Sequence, residues 1–495
     1  MDIFGHLWEG INLLIGWEPL IIIIIGVMLG ILVGVLPGLS PAMGVALLVP
    51  FSYGLPPLYA LILLVSLYSA ANYGGTITAI AINTPGTPSA IVSTFDGYPL
   101  TQKGQPGKAL GTSVVASTVG GFFGTLVLIF FSVPLAKAAL SFGPAEYFAL
   151  AIFGLTITSS LSTGNWVKAF IATLIGLLLN TVGMDPFTGY LRFTFGIPEL
   201  ADGFSFIPAL IGLFALGEIF LQLEKGVDVK KSLSKLSDRM PKLKELWKIK
   251  RTILQSSIIG TLVGVVPGAG ATIAAFIAYN EAKRISKKPE EFGKGALEGV
   301  AASGAATSGS VGGALVPLLT LGIPGSAATA VLIGALVLHG LTPGPELFKG
   351  DAPIVYGIFA SMLIAYTAMF FFGFLGNQLW IKIIKAPKSV LYPMILAIAF
   401  VGSYSVGNSM FDVWSCFGFG ILGWILRRNG FPTAPVILGL ILGFLAETNF
   451  RRALLMGNWT IFFTRPISLI LLILAAVSLF YPMLKTKFKS LKKEA

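Results

Sequence analysis

The chain has 495 residues, 55% hydrophobic and 11% charged, with a formal net charge of +12. An ordinary soluble domain carries roughly a quarter charged residues, so a water-soluble protein of this size is excluded and a polytopic α-helical membrane protein is implied. The basic residues sit in short segments between apolar runs, as cytoplasmic loops do, which argues against nucleic acid as a partner.

Met1 to Glu18 contains no Lys or Arg, and no small-residue cleavage site follows Ile21–Ile25, so Pro19–Leu36 reads as a retained membrane segment. A spanning helix needs about 20 apolar residues. Spans are expected at Leu58–Ile82, Leu110–Val133, Glu146–Ser160, Val167–Val182 and Phe204–Leu223. Further spans are expected at Leu297–Leu321, Pro353–Phe374, Leu391–Tyr404, Val413–Leu426, Pro435–Ala446 and Pro466–Phe480. Three apolar pieces are too short to cross: Ala42–Phe51, Ala271–Tyr279 and Ala327–Leu338. Their Gly/Pro neighbours suggest re-entrant hairpins or discontinuous helices. Between the two sets of spans, Glu224–Arg251 carries ten basic residues against four acids. The positive-inside rule places this segment and the lysine-rich tail Lys485–Lys493 in the cytoplasm.

The two halves repeat each other. Gly30-Ile-Leu-Val-Gly34-Val-Leu-Pro37-Gly38 matches Gly260-Thr-Leu-Val-Gly264-Val-Val-Pro267-Gly268 at an offset of 230. Gly74-Gly75 followed by Asn83-Thr84-Pro85-Gly86-Thr87 matches Gly312-Gly313 followed by Gly322-Ile323-Pro324-Gly325-Ser326, with one residue inserted. Basic flanks swap sides between the copies. The first Lys or Arg of the chain is Lys103, whereas Thr252–Tyr279 is flanked by Lys248, Lys250 and Arg251 before it and by Lys283, Arg284, Lys287 and Lys288 after it. That swap favours inverted-topology over parallel repeats.

The expected fold is therefore an all-α membrane protein of two inverted repeats, each with a re-entrant helical hairpin, a discontinuous helix and scaffold helices. The first repeat takes residues 1–224 (hairpin 19–51, broken helix 58–95, scaffold 110–223), followed by the basic loop 225–251. The second takes 252–495 (hairpin 252–282, broken helix 295–339, scaffold 353–482 and the basic tail). The N-terminus is expected outside and the C-terminus inside.

In lipid, a helix can be broken only where the break is buried in protein or lines a wet cavity. Four breaks occur at apparent mid-membrane depth, marked by Pro37, Pro85, Pro267 and Pro324. Helix starts after them would point free N–H groups at the gap. The expected ligand residues are Gly38, Ser40, Asn83, Thr84, Gly86, Thr87, Ser89, Gly268, Gly270, Thr272, Gly325, Ser326 and Thr329. The alternative for the hydroxyls is that they only cap broken helices. With no Arg or Lys in the breaks, an anionic substrate would be held by main-chain N–H and hydroxyl groups. A coupling cation, sodium or a proton, would offset its charge. Sodium is favoured because no acid lies within a break, and it would be held by backbone and hydroxyl oxygens near Asn83, Thr84, Gly322 and Ser326. The polar patches Asn72, Tyr73, Thr76, Thr78 and Ser303, Thr307, Ser308, Ser310 read as helix-packing contacts.

Cys416 is the single cysteine, and His6 and His339 are the only histidines. No nucleotide, zinc or dinucleotide signature is present, so no cofactor is expected beyond the coupling ion. A channel for small anions, or a membrane enzyme built on Ser303 or Ser308 with His339, are the rival readings.

The sequence resembles the large integral membrane subunit of tripartite tricarboxylate transporters in GVLPGLSPAMGVALLVPF from Gly34, YGGTITAIAINTPGTPSAIVSTFDGYPL from Tyr73, GTLVGVVPGAGATIAAFIAY from Gly260 and GGALVPLLTLGIPGSAATAVLIGAL from Gly312. The resemblance implies a secondary transporter for carboxylates in the cytoplasmic membrane, partnered by a small integral membrane subunit and a periplasmic solute-binding protein. One departure stands out. Ser303-Gly304 and Thr307-Ser308 replace a Pro-Glu and an Asn-Asn pair, which removes an acid and two amides beside the second break and bears on substrate class and coupling ion.

Overall fold

A computed structural model describes residues 3–36, 38–161, 166–225, 240–376, 379–380 and 388–494. Pro37 lies outside the described residues, as do Lys230, Lys231, Lys235 and Arg239 of the basic loop. Among the described residues, nine helices are long and apolar enough to cross a membrane. The chain is a multi-pass membrane protein.

Ten helices form the core. In the first half they are α1 (Trp17–Val35), α2 (Pro41–Ser52), α3 (Pro57–Ile82), α4 (Ile91–Gln102) and α5 (Pro106–Ala139). In the second they are α6 (Lys250–Val265), α7 (Gly270–Ile285), α8 (Leu297–Leu321), α9 (Ala327–Leu338) and α10 (Ala352–Leu375). The matched sequence signatures produce matched backbone geometry. α3 ends at Asn83 with φ 54° and α8 at Gly322 with φ 72°, both left-handed. In each case the next amide turns back to a carbonyl six residues earlier, Thr84 to Thr78 at 3.3 Å and Ile323 to Pro317 at 3.2 Å. Each helix end is thus closed by an amide just past a left-handed residue, one residue wider than the Schellman bond. Proline two residues after the left-handed residue then prevents the helix from resuming.

Small residues set the packing. α1 lies on α3, and α6 on α8, so closely that a Cβ on Gly26 would sit 2.6 Å from the Leu63 carbonyl oxygen and one on Gly264 2.5 Å from that of Ser310. Backbones meet at such distances only when no side chain intervenes. The halves also exchange supports. α5 of the first half packs along α8, and α10 of the second packs along α3. α2 packs on α9, and α7 packs on α4 and the turn Pro88–Ala90 before it.

These exchanged pairs are pinned at their far ends. Ser52 Oγ lies 3.1 Å from His339 Nε2, joining the ends of α2 and α9. Tyr279 of α7 donates to Asp96 Oδ2 at 2.8 Å, while Asp96 Oδ1 accepts the amides of Gly293, Gly295 and Ala296, each at 2.8 Å. Tyr59 at the start of α3 donates to Glu18 at 3.2 Å, so α1 begins close to where α2 ends. The start of α6 and the end of α7 likewise share one basic cavity of about 1090 Å³, rimmed by Lys248, Arg251, Lys287 and Lys288.

The remaining helices lie to the side: Pro144–Leu161, Trp166–Asn180, Phe206–Lys225 with a wide π-type turn at Gly212–Leu216, Lys388–Gly407, Met410–Arg428, Ala434–Met456 and Pro466–Glu494. Two outrun the apolar runs that predict them. Ala434–Met456 continues past Ala446 because its polar end is paired, Glu447 with Arg192 at 2.8 Å and Arg451 with Asp185 at 3.0 Å. Gly270–Ile285 continues past Tyr279 through a charged last turn that suits a helix C-terminus. Asp185 sits in the loop between Asn180 and Phe206. The Phe187 amide above all, with Thr188 and Arg451, lowers its pKa to about 2.

Asp96 is the clasp between α4 and the loop before α8. Hydrogen bonds to a charged acceptor contribute about 1.5–3 kcal/mol each, so Asp96→Ala should lower the thermal midpoint in detergent and speed tryptic cleavage after Lys287 and Lys294. An unchanged midpoint and digestion pattern would contradict this role.

Candidate functional site

All four helix starts that follow the breaks open onto one cavity of about 540 Å³. Its walls are Ser40, Pro41 and Ala42 at the start of α2; Thr87, Pro88 and Ser89 before α4; Gly270, Ala271 and Thr272 at the start of α7; and Ser326, Ala327 and Ala328 at the start of α9. The first N–H groups of a helix have no intrahelical partner, and each helix start carries roughly half a positive elementary charge. Four of them around one space make an anion-attracting site without any lysine.

Two glycines make this convergence sterically feasible. A Cβ on Gly86 would overlap the carbonyl oxygen of Gly34, and one on Gly325 would lie 2.7 Å from Ala314 Cα and 2.9 Å from the Gly264 oxygen. Each break is thus seated against the end of the first core helix of its own half, α1 or α6. The Gly86 amide donates to Gly75 at 3.2 Å, and the Gly268 amide donates to Gly325 at 3.1 Å. Buried main-chain groups at the breaks therefore find partners in protein.

Of the residues expected from sequence, Ser40, Thr87, Ser89, Gly268, Gly270, Thr272 and Ser326 line the cavity. Gly86 and Gly325 are packing positions behind it. Thr329 is buried one turn into α9, where its hydroxyl accepts the Ser326 amide at 2.7 Å. Gly38 faces Gln222 instead. Asn83 is exposed, and the Thr84 hydroxyl turns back to the Ile82 carbonyl at 3.4 Å. Gly322 packs toward Pro343. Of the four residues named for a cation, only Ser326 borders the cavity. Pro85 and Pro267 are half-buried and Pro324 is buried, all in the breaks.

Ser326 has two structural partners. Its Oγ accepts the Thr329 amide at 3.3 Å, capping α9, and lies 3.0 Å from the Tyr68 hydroxyl. Ser40 Oγ caps α2 through the Met43 amide at 3.2 Å. Thr87 Oγ1 and Ser89 Oγ are 3.2 Å apart. The Thr272 hydroxyl has no hydrogen-bond partner among the described residues.

Two polar lining residues, Tyr68 and Arg427, escape the sequence reading, and a third, Asn72, is read there as a helix-packing contact. Tyr68 and Asn72 stand four residues apart on one face of α3, a polar pair in an apolar helix that reads equally as packing. Arg427 belongs to the C-terminal end of Met410–Arg428, where a basic residue reads as an ordinary cytoplasmic flank. The departures at Ser303, Gly304, Thr307 and Ser308 border none of the cavities described here; they are buried in α8. Ser303 Oγ meets Ser93 Oγ at 2.9 Å, and a Cβ on Gly304 would sit 3.0 Å from Ser117 Oγ.

A sequence model of the tripartite tricarboxylate transporter TctA family matches residues 20–438. The chain is similar to an uncharacterized 52.8 kDa protein in the TAR-I ttuC' 3' region of Agrobacterium vitis, 39% identical over 430 residues, which is 86% of each chain. It is also similar to an uncharacterized protein in the TAR-II ttuC' 3' region of the same organism, 41% identical over 220 residues, covering 44% of this chain and 91% of that one. No solved structure matches.

Capping and ligand-facing hydroxyls are separable by stability. Loss of an N-cap costs about 1 kcal/mol, so Ser326→Ala should lower the thermal midpoint of the unliganded protein. Thr272→Val should leave it unchanged. A large loss in the second variant would make Thr272 a structural residue.

Proposed function

Since the chain belongs to the tripartite tricarboxylate transporter TctA family, a family of transporters and not of enzymes, we propose that it imports a small di- or tricarboxylate across the cytoplasmic membrane by cation-coupled alternating access. The observation that carries this reading is the convergence of four helix N-termini and a ring of hydroxyls on one cavity between the two halves. Carboxylate oxygens are suited to such donors because they accept several N–H and O–H bonds at once.

We read the core as two inverted units. In support, α2 and α9 leave the cavity together and meet at Ser52 and His339, while α4 and α7 leave it together and meet at Asp96 and Tyr279 beside the basic rim. Each hairpin starts and ends near the same neighbours, as a re-entrant pair does. The positive-inside rule then puts the basic rim in the cytoplasm and the N-terminus outside. The cavity opens toward the same basic side. Its rim residues Gly430–Thr433 follow Arg428, which pairs with Glu224 at 3.2 Å just before the basic loop. This is an inward-facing arrangement. Rigid movement of the ten-helix core against the lateral helices would present the cavity to the other side.

Sodium is the favoured coupling ion, held by hydroxyl and carbonyl oxygens near the breaks, as at the unwound helix ends of secondary transporters. The reading also assigns two partners, a small integral membrane subunit and a periplasmic solute-binding protein that supplies the substrate.

Uptake of radiolabelled mono-, di- and tricarboxylates, with and without a sodium gradient and with the partner subunits present, tests this. Wild-type protein should accumulate a di- or tricarboxylate against its gradient. Thr87→Val and Thr272→Val should each reduce uptake roughly tenfold or more, the loss of one or two hydrogen bonds to a charged ligand. Normal uptake by both variants would refute the site, and gradient-independent flux would refute secondary transport.

A further inference from the structure

Among the described residues, Arg427 is the one charged side chain lining the cavity, and it comes from a lateral helix rather than from the core. Its Nη1 donates to Glu218 Oε2 at 2.5 Å. Its Nε is buried and has no hydrogen-bond partner among the described residues. The guanidinium is thus neutralised through one nitrogen while a donor on another edge is unspent. Buried charged groups ordinarily use their donors, because an unpaired one carries a desolvation cost.

The surroundings hold this arrangement in place. Glu218 Oε1 accepts Gln222 Nε2 at 2.9 Å, so both carboxylate oxygens are engaged. Gln222 lies over Gly38 between α1 and α2, where φ is 96° and a Cβ would come within 2.8 Å of Nε2. Glu218 follows the wide turn Gly212–Leu216 after one residue, and Phe214 of that turn lines the same cavity. Such turns rotate the side chains that follow them and recur at functional sites.

We propose that Arg427 binds a second carboxylate of the substrate through its Nε edge while Nη1 stays on Glu218. One carboxylate would rest on the core's helix starts and another on Arg427, so the site selects polycarboxylates over monocarboxylates of the same length. The bound molecule then bridges core and lateral helices. Arginine suits this role because its planar fork can hold two carboxylates on different edges, which a lysine ammonium does not reproduce. The assignment rests on the carboxylate-transport reading above.

Equilibrium binding to the purified full-length protein tests it with a matched series of mono-, di- and tricarboxylates. Arg427→Lys retains the charge opposite Glu218 and lacks the Nε edge. The double variant Arg427→Gln/Glu218→Gln removes both charges and so leaves neither unpaired in the interior. Both should bind di- and tricarboxylates about 10- to 100-fold more weakly, the range expected for lost hydrogen bonds between charged groups. Monocarboxylate affinity should not change. Unchanged polycarboxylate binding in both variants, or an equal loss for monocarboxylates, would overturn the assignment. If the double variant does not fold, judged by its thermal midpoint and elution volume, the lysine variant decides. A wild-type protein that binds no carboxylate would instead overturn the transport reading, and this assignment with it.

Discussion

The whole arrangement depends on seating interrupted backbone against other backbone inside an apolar medium. A broken helix exposes main-chain donors and acceptors that lipid cannot satisfy, each costing several kcal/mol. Here Gly86 lies against the Gly34 carbonyl and Gly325 against Gly264, so each interruption is covered by the first core helix of its own half. Larger residues at these points would push helix and break apart. The groups left over are then the helix-start amides, and they face a single cavity.

The exchange of supports between halves explains why that cavity lies at their junction. α5 and α10 each brace the broken helix of the other half, and α2 and α7 each pack on the other half's post-break segment. Neither half could therefore form its walls alone. The pins at Ser52–His339 and at Asp96 fix where the exchanged helices end, while the cavity fixes where they begin. Within the lateral helices, the Gln222–Glu218–Arg427 series reaches the cavity itself. Charge enters the site from the lateral helices, outside the ten-helix core.

Much of this is legible in the sequence because proline and glycine have narrow structural meanings. The Pro-Gly signatures mark the breaks, and their recurrence marks two equivalent units. Helix positions follow from apolar runs, the span Leu297–Leu321 and the short piece Ala327–Leu338 matching to the residue. The helices at the expected spans Glu146–Ser160, Val167–Val182 and Pro466–Phe480 are, within the described residues, apolar over shorter lengths. Hydroxyls immediately after a break, such as Ser40 and Ser326, border the cavity while capping the helix that starts there. Residues before a break are harder to place. Asn83 and Gly322 serve the left-handed helix ends, a backbone role that their side-chain chemistry does not reveal. Arg427 could not be found this way, since its role depends on a tertiary approach to residues more than 200 positions away in sequence. Ser303 and Gly304 sit in helix packing, where Ser303 meets Ser93 of α4 and Gly304 lets α8 approach α5 closely.

The central claim is that one ligand site is shared by both halves. Cysteine protection measures it directly, because Cys416 is the chain's only cysteine and Cys416→Ser supplies a clean background. Ser40→Cys reports the first half's wall and Thr272→Cys the second's, each labelled with a small charged thiol reagent at rising concentrations of the transported carboxylate. A common cavity predicts that one ligand slows both labelling reactions with the same half-saturation concentration. Protection at one position alone, or at neither while the ligand still binds, would place the site elsewhere.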